Sequence, residues 1–164
     1  MRLDIHHKIG KRVCDELKEL GCQIDVKLFL LGNIFPDLNQ SYLWCRHEYL
    51  HSREYIRRKI EVLEKKPRLF SFHLGVLTHY ICDYFCYPHS LAYDKGLVQH
   101  IIYEIRQKVP KRIYKTNLNI QAFTIEELDR FVKWYENFRA TFENDESDFQ
   151  VAAMVAFNFL KLAY

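Results

Sequence analysis

Residues 78–90 read THYICDYFCYPHS, and five of these thirteen side chains can bind a metal or move a proton: His79, Cys82, Asp83, Cys86 and His89. His79 and Asp83 stand four apart, so on a helix they share one face. His100 and Glu104 repeat that spacing further along. An imidazole and a carboxylate one turn apart can grip a divalent cation from one side. Asp37 follows Pro36, where a loop carboxylate can complete a site built on helices. Taken singly, a histidine on an apolar face is more often a satisfied core residue. Asp83 resists that reading. It lies in the most apolar stretch of the chain, and a buried carboxylate must be paired with a charge or a metal. Glu104, within HIIYEI, poses the same problem.

Two rival metal sites compete for these residues. His79, Cys82, Cys86 and His89 can be drawn as a structural Cys2His2 site. All four would then crowd onto one helix with no facing hairpin, unlike usual zinc modules. Both cysteines also sit among Ile81, Tyr84 and Phe85, where a free thiol behaves as a small hydrophobe. The second rival is HEYLH, residues 47–51, in which His47 and His51 would bind zinc and Glu48 would be the base of a peptidase. That motif fixes only three positions. Its third ligand would have to be Glu61 or Glu64, close by on the same helix, and Asp37, His79, Asp83, His89, His100 and Glu104 would be left unexplained.

The elements that must position these residues read as helices nearly throughout, so the expected class is all-α. Gly (5) and Pro (4) are too scarce for a turn-rich β protein. At 164 residues with 49% hydrophobic side chains, the chain suits one domain, residues 1–164, with a real core. Residues 4–20 place Ile5, Ile9, Val13, Leu17 and Leu20 on one face and stop at Gly21. Residues 25–33 form a short buried helix, after which Pro36 should force a loop. A helix from about Tyr42 to Lys65 follows, then the apolar helix before Pro88, then one ending before Pro110. Thr124 and Glu127 form a capping box for the next, and DESDFQVAAMVAFNFLKLA closes the chain.

The formal charge of +3 is too mild for a nucleic-acid footprint, so no stable nucleic-acid partner is expected. REYIRRKIEVLEKKPR mixes signs and reads as a solvated helix face. Five cysteines show no disulfide spacing, the opening MRLDIHHK is not an apolar leader, and no apolar run reaches transmembrane length. The expected compartment is the cytoplasm.

These residues, in order, resemble the zinc-dependent phospholipase C family, related more distantly to nucleases of the S1/P1 type. HHKIGKRV is similar to the family's N-terminal histidine on its first helix, and the register H-x-x-I-G-x-x-V favours His6 over His7. GNIFPDL matches the G-x-x-x-P-D loop through Asp37. His51 follows that aspartate at the family's distance. THYICDYFCYPHS matches H-x3-D-x5-H through His79, Asp83 and His89, and HIIYE matches H-x3-E through His100 and Glu104. The last sixty or so residues carry no family motif.

The resemblance implies a compact multi-helix fold of the phospholipase C/P1 nuclease type and two to three zinc ions. Asp37, His51, His79 and Asp83 would hold one, and His89, His100 and Glu104 a second. His6, with Asp83 as a bridge, would help hold a third. In secreted members a mature N-terminal amine completes that third site; Met1 lies only five residues before His6. Cys82 and Cys86 would then pack rather than bind. The implied reaction is phosphate-ester hydrolysis by a zinc-bound hydroxide, with Asp37 orienting or deprotonating the water. Phospholipid head groups are the first expected substrate, met through transient contact with a membrane surface. An S1/P1-like nuclease or nucleotidase is the enzymatic alternative, and a non-catalytic helical metal-binding protein the other. Tyr42, Trp44, Tyr84 and Tyr87 can line a pocket, although plain core is their commoner role.

Overall fold

A computed structural model of the chain describes residues 1–39, 48–90, 93, 95–106, 118–139 and 145–164. These form seven α-helices and two short 3-10 turns, with no strand among the described residues. The all-α expectation holds.

Helix α1, Leu3–Glu19, buries Ile5, Ile9, Val13 and Leu17 along one stripe. It ends where Gly21 takes φ +86°, a left-handed conformation that glycine adopts without strain. Gly21 N–H donates to the Lys18 carbonyl at 2.9 Å and Cys22 N–H to the Leu17 carbonyl at 3.1 Å, a Schellman stop. Leu20 was expected on the apolar face but is exposed, because the helix ends just before it.

Helix α2, Val26–Leu38, starts with the Asp25 carboxylate accepting from Leu28 N–H at 3.0 Å. The sequence reading placed a loop at Pro36. The helix instead runs through Pro36, and Asp37 stands on its last turn. An internal proline costs about 3 kcal/mol or more, and packing offsets that cost here. At Gly75 a Cβ would overlap the Phe29 carbonyl, and at Gly32 it would overlap the Phe72 carbonyl. The absence of those two side chains lets α2 lie tightly on the central helix.

Helix α3 spans Tyr49–Glu64; residues 42–47 of the expected longer helix lie outside the described residues. Ser52, Ile56, Ile60 and Leu63 face inward. Arg57, between Glu54 and Glu61, belongs to the solvated face the charge pattern suggested. Helix α4, Phe70–Tyr84, is the central element, buried from Leu74 to Tyr84. It packs on α2, α3, the last helix and α1. Burying a side chain such as Leu74 or Leu77 contributes about 1.5–3 kcal/mol.

After α4 the 3-10 turn Tyr87–His89 contains Pro88, and α5 follows as Leu97–Arg106. Helix α6 is Ile125–Arg139. Its N–H at Glu127 donates to Thr124 Oγ1 at 3.3 Å, half of the expected capping box. The Glu127 carboxylate accepts from Gln121 N–H at 2.8 Å instead of closing the box. Helix α7, Asp145–Leu160, packs on α4 and α1 and ends in the turn Lys161–Ala163. No helix among the described residues is long and apolar enough to cross a membrane.

Candidate metal centre

The C-terminal half of α4 carries the hub. His79 and Asp83 are both fully buried, and His79 Nε2 lies 3.3 Å from Asp83 Oδ2. Helix α1 brings in His6, also fully buried, with Nε2 3.2 Å from Asp83 Oδ1. The His6 and His79 rings stack with centroids 3.9 Å apart. Helix α2 supplies Asp37, whose Oδ1 lies 3.7 Å from His79 Nε2. His6, Asp37 and His79 can each offer one ligand atom, all within 4.8 Å of one another.

Buried Asn33 of α2 orients two of these residues. Its side-chain amide donates to the His6 carbonyl. Its own carbonyl lies 3.0 Å from His79 Nδ1. A carbonyl only accepts, so His79 Nδ1 carries a proton and Nε2 is the nitrogen turned towards the oxygens of Asp37 and Asp83. An imidazole nitrogen beside two carboxylates is a donor set that can ligate a divalent cation. Neither ring nitrogen of His6 makes a hydrogen bond of good geometry, although both are buried. Burial, reinforced by the neighbouring His79, lowers the His6 pKa to about 3, so its ring stays neutral with a lone pair free to ligate. Orphaned imidazole nitrogens beside two carboxylates are a donor set that fits zinc.

The second group is less buried. His89 of the 3-10 turn and His100 and Glu104 of α5 also lie within 4.8 Å of one another. The His89 and His100 ring centroids are 5.3 Å apart, and His100 Nε2 is 3.2 Å from Glu104 Oε1. Glu104 looked buried in sequence but is half-buried at the rim, which eases the demand for a counter-charge there. Asp83 sits between the groups, with Oδ1 3.8 Å from His89 Nε2.

The amino group of Met1 reaches this space. It lies 2.9 Å from Asp83 Oδ1, 2.9 Å from His89 Nε2 and 3.2 Å from Glu104 Oε1. Burial disfavours its charge, but Asp83, and with it Cys86 and Glu104, raise its pKa to about 11. Burial likewise pushes the Asp83 carboxyl up. The Met1 ammonium, followed by His6, His89 and His79, outweighs that and holds it well below the usual carboxylate range.

The grouping differs from the implied one: His6 falls with Asp37 and His79, and neither His51 nor Asp83 belongs to that group of three. His51 stands apart. Its ring is exposed on the first turn of α3 and pairs with Glu48 Oε2 at 2.9 Å. The HEYLH alternative needs His47 and His51 on one helix face, yet α3 begins only at Tyr49, and His47 lies outside the described residues. Cys82 and Cys86 are fully buried, and burial pushes the Cys82 thiol far above its ordinary range, as suits a packing residue. Tyr84 is core, its hydroxyl 2.7 Å from Ser52 Oγ. Tyr87 is partly buried against the core; Tyr42 and Trp44 lie outside the described residues.

Sequence reasoning missed a buried polar cluster beneath the second group, formed by Asp148, Tyr103 and Arg139. Its one visible signal was an aspartate at the edge of the apolar stretch FQVAAMVAFNF. No curated protein and no solved structure gives a significant match to this chain. A family model described as zinc dependent phospholipase C matches residues 5–146. With that match over most of its length, the chain belongs to the zinc-dependent phospholipase C family.

Proposed function

We propose that the protein is a zinc-dependent hydrolase of phosphate esters, acting first on phospholipid head groups in the manner of a phospholipase C. The observation that carries this reading is the convergence of imidazoles and carboxylates around Asp83, with His6 Nε2 3.2 Å from it and His79 fixed by Asn33 so that its Nε2 points inward. His6, Asp37, His79 and Asp83 would hold metal at the buried end, and His89, His100 and Glu104 at the rim, two to three ions in all. His51 is proposed as a further ligand at the buried end, which requires the start of α3 to turn its ring inward. When bound, zinc supplies Lewis acidity to phosphate oxygens and acidifies a coordinated water.

The residues of the chain divide the remaining work. The Asn33 carbonyl, by accepting from His79 Nδ1–H, holds that imidazole with Nε2 turned into the site. Asp83, fully buried and held well below the usual carboxylate range by the Met1 ammonium above all, is a poor base. Asp37 is the carboxylate at the open edge, about one-fifth exposed. It is placed to orient an attacking water and take its proton. The buried wall of α4 excludes bulk water from the inner side of the site.

A lipid surface fits the outside of α5. Val98, Ile101, Ile102 and Ile105 are 41–66% exposed and form one stripe at helical spacing. The stripe lies roughly a third of a turn from His100 and Glu104. Lys95 and Arg106 flank it as exposed bases, and the sequence adds Lys108, Lys111, Arg112 and Lys115 with no acid between them. An apolar stripe with basic flanks suits an anionic membrane surface, met transiently. The free thiols of Cys14, Cys22, Cys82 and Cys86 accord with the cytoplasm, and residues 1–164 are proposed to act as one domain.

The test is hydrolysis by zinc-loaded protein of phosphatidylcholine vesicles, a small soluble phosphodiester, nucleoside monophosphates and single-stranded DNA. The expected result is zinc-dependent cleavage of the lipid, lost in Asp37→Asn. Preferential cleavage of nucleotides or DNA would move the reading to a nuclease or nucleotidase. No cleavage by protein that holds zinc would leave a metal-binding protein without catalysis.

A further inference from the structure

The rim group is carried by two elements, the turn Tyr87–His89 and helix α5, and one carboxylate touches both. Asp148 of α7 is fully buried. Its Oδ2 accepts from the backbone N–H of Tyr87 at 3.1 Å, two residues before His89. The same oxygen accepts from the Tyr103 hydroxyl, and Tyr103 lies between His100 and Glu104 on α5. Its Oδ1 lies 3.4 Å from Arg139 Nε of α6, both side chains being withdrawn from solvent. The Arg139 guanidinium in turn sits 4.2 Å from the centre of the Tyr87 ring. Tyr87 and Tyr103 also meet, with ring centroids 6.4 Å apart.

We infer that Asp148 is a positioning residue for the rim metal group: it ties the turn bearing His89 to the helix bearing His100 and Glu104, and thereby sets the spacing of those three ligands. This rests on the metal-centre reading above. It goes beyond that reading because Asp148 lies past the residues matched by the family model, 5–146. A 3-10 turn of three residues has little rigidity of its own. Helix α5 makes few close contacts with the other helices, and Tyr103 is its one buried side chain among those described. Both elements therefore depend on a fixed point beneath them. A buried carboxylate neutralised by Arg139 can supply one, since charge-assisted hydrogen bonds are directional and about twice as strong as neutral ones. The inner group needs no such tie, because His6, Asp37 and His79 stand on α1, α2 and α4, which pack directly on one another.

The experiment measures stepwise Zn2+ affinity by competition with a chelator for the wild type, Tyr103→Phe, Asp148→Asn and the control Asp129→Asn. Asp148→Asn leaves Arg139 without its buried counter-charge and can unfold the protein. Tyr103→Phe removes only the hydroxyl tether and keeps the ring, so it carries the test alone if Asp148→Asn does not fold. Asp129 pairs with Arg53 at 2.6 Å between α6 and α3, which carry none of the three rim ligands, and reports what a lost interhelical pair does by itself at the rim. The expected result is a loss of about 10–100-fold in affinity for one ion in Tyr103→Phe. The remaining ion or ions should be unchanged, and Asp129→Asn should bind as the wild type does. Uniform affinities in folded Tyr103→Phe would overturn the inference while leaving the metal centre standing. A wild type that binds no zinc would instead overturn the metal centre, and this inference with it.

Discussion

Replacing Asp37 by asparagine should act mainly on the response to zinc. His79 Nδ1–H donates to the Asn33 carbonyl at 3.0 Å, which turns Nε2 towards Asp37 Oδ1, 3.7 Å away. That contact is longer than a hydrogen bond and Asp37 is about one-fifth exposed, so the metal-free variant should lie within about 1 kcal/mol of the wild type. With zinc present the change removes a proposed ligand. At free zinc 100-fold above Kd, binding stabilises a protein by about 2.7 kcal/mol. A loss of about 100-fold in affinity on removing one ligand would leave roughly 0.4 kcal/mol of that. For a chain of this size, 1 kcal/mol moves Tm by about 2–4 °C. Zinc should thus raise the wild-type Tm by about 5–11 °C and the variant's by about 1 °C. Thermal unfolding with chelator and with zinc reads both effects in one series. A variant that is destabilised without metal and keeps the full zinc response would refute the reasoning, because Asp37 would then be a structural acceptor.

Other outcomes follow from the same geometry. His6 has a folded pKa of about 3 against 6.5 unfolded. Between those values the unfolded chain binds the extra proton, so stability rises with pH. The metal-free protein should hold this contribution above pH 6.5 and lose on the order of 5 kcal/mol as pH falls towards 3. His6→Asn should flatten that acid limb in urea titrations, and an unaltered limb would exclude His6 as its cause. Cys82→Ala should cost about 1 kcal/mol in packing and leave the zinc count intact; a lost ion would revive a thiolate site. His51→Ala should lower zinc affinity if the first turn of α3 brings His51 inward, and His47→Ala should not; equal losses in both would restore the HEYLH reading.

The sequence displays the candidate ligands well, because they stand in pairs whose residue types and spacing show on a single helix. His79 with Asp83, and His100 with Glu104, are visible as pairs one turn apart. The stripe Ile5, Ile9, Val13 and Leu17 announces α1 in the same way. What the sequence hides are consequences of packing between segments distant in the chain. Pro36 looked like a helix breaker, and only the close approach of α2 to α4 through Gly32 and Gly75 shows why the helix continues to Asp37. His6 joins Asp37 and His79 because three helices converge, a grouping that no local spacing encodes. The role of Asp148 is hidden for the same reason, since its partners Tyr87 and Tyr103 lie 61 and 45 residues away in sequence. Leu20 misled because periodicity continues past a cap that Gly21 imposes.

The measurement that tests the central claim most directly is the metal content, by mass spectrometry, of protein purified without chelators, beside an Asp83→Ala variant. Asp83 lies within 4 Å of His6, His79 and His89, so it touches both ligand groups. The account predicts two to three zinc ions per chain, falling by at least one in the variant. Wild-type protein without metal, or one zinc that survives the loss of Asp83, would contradict it.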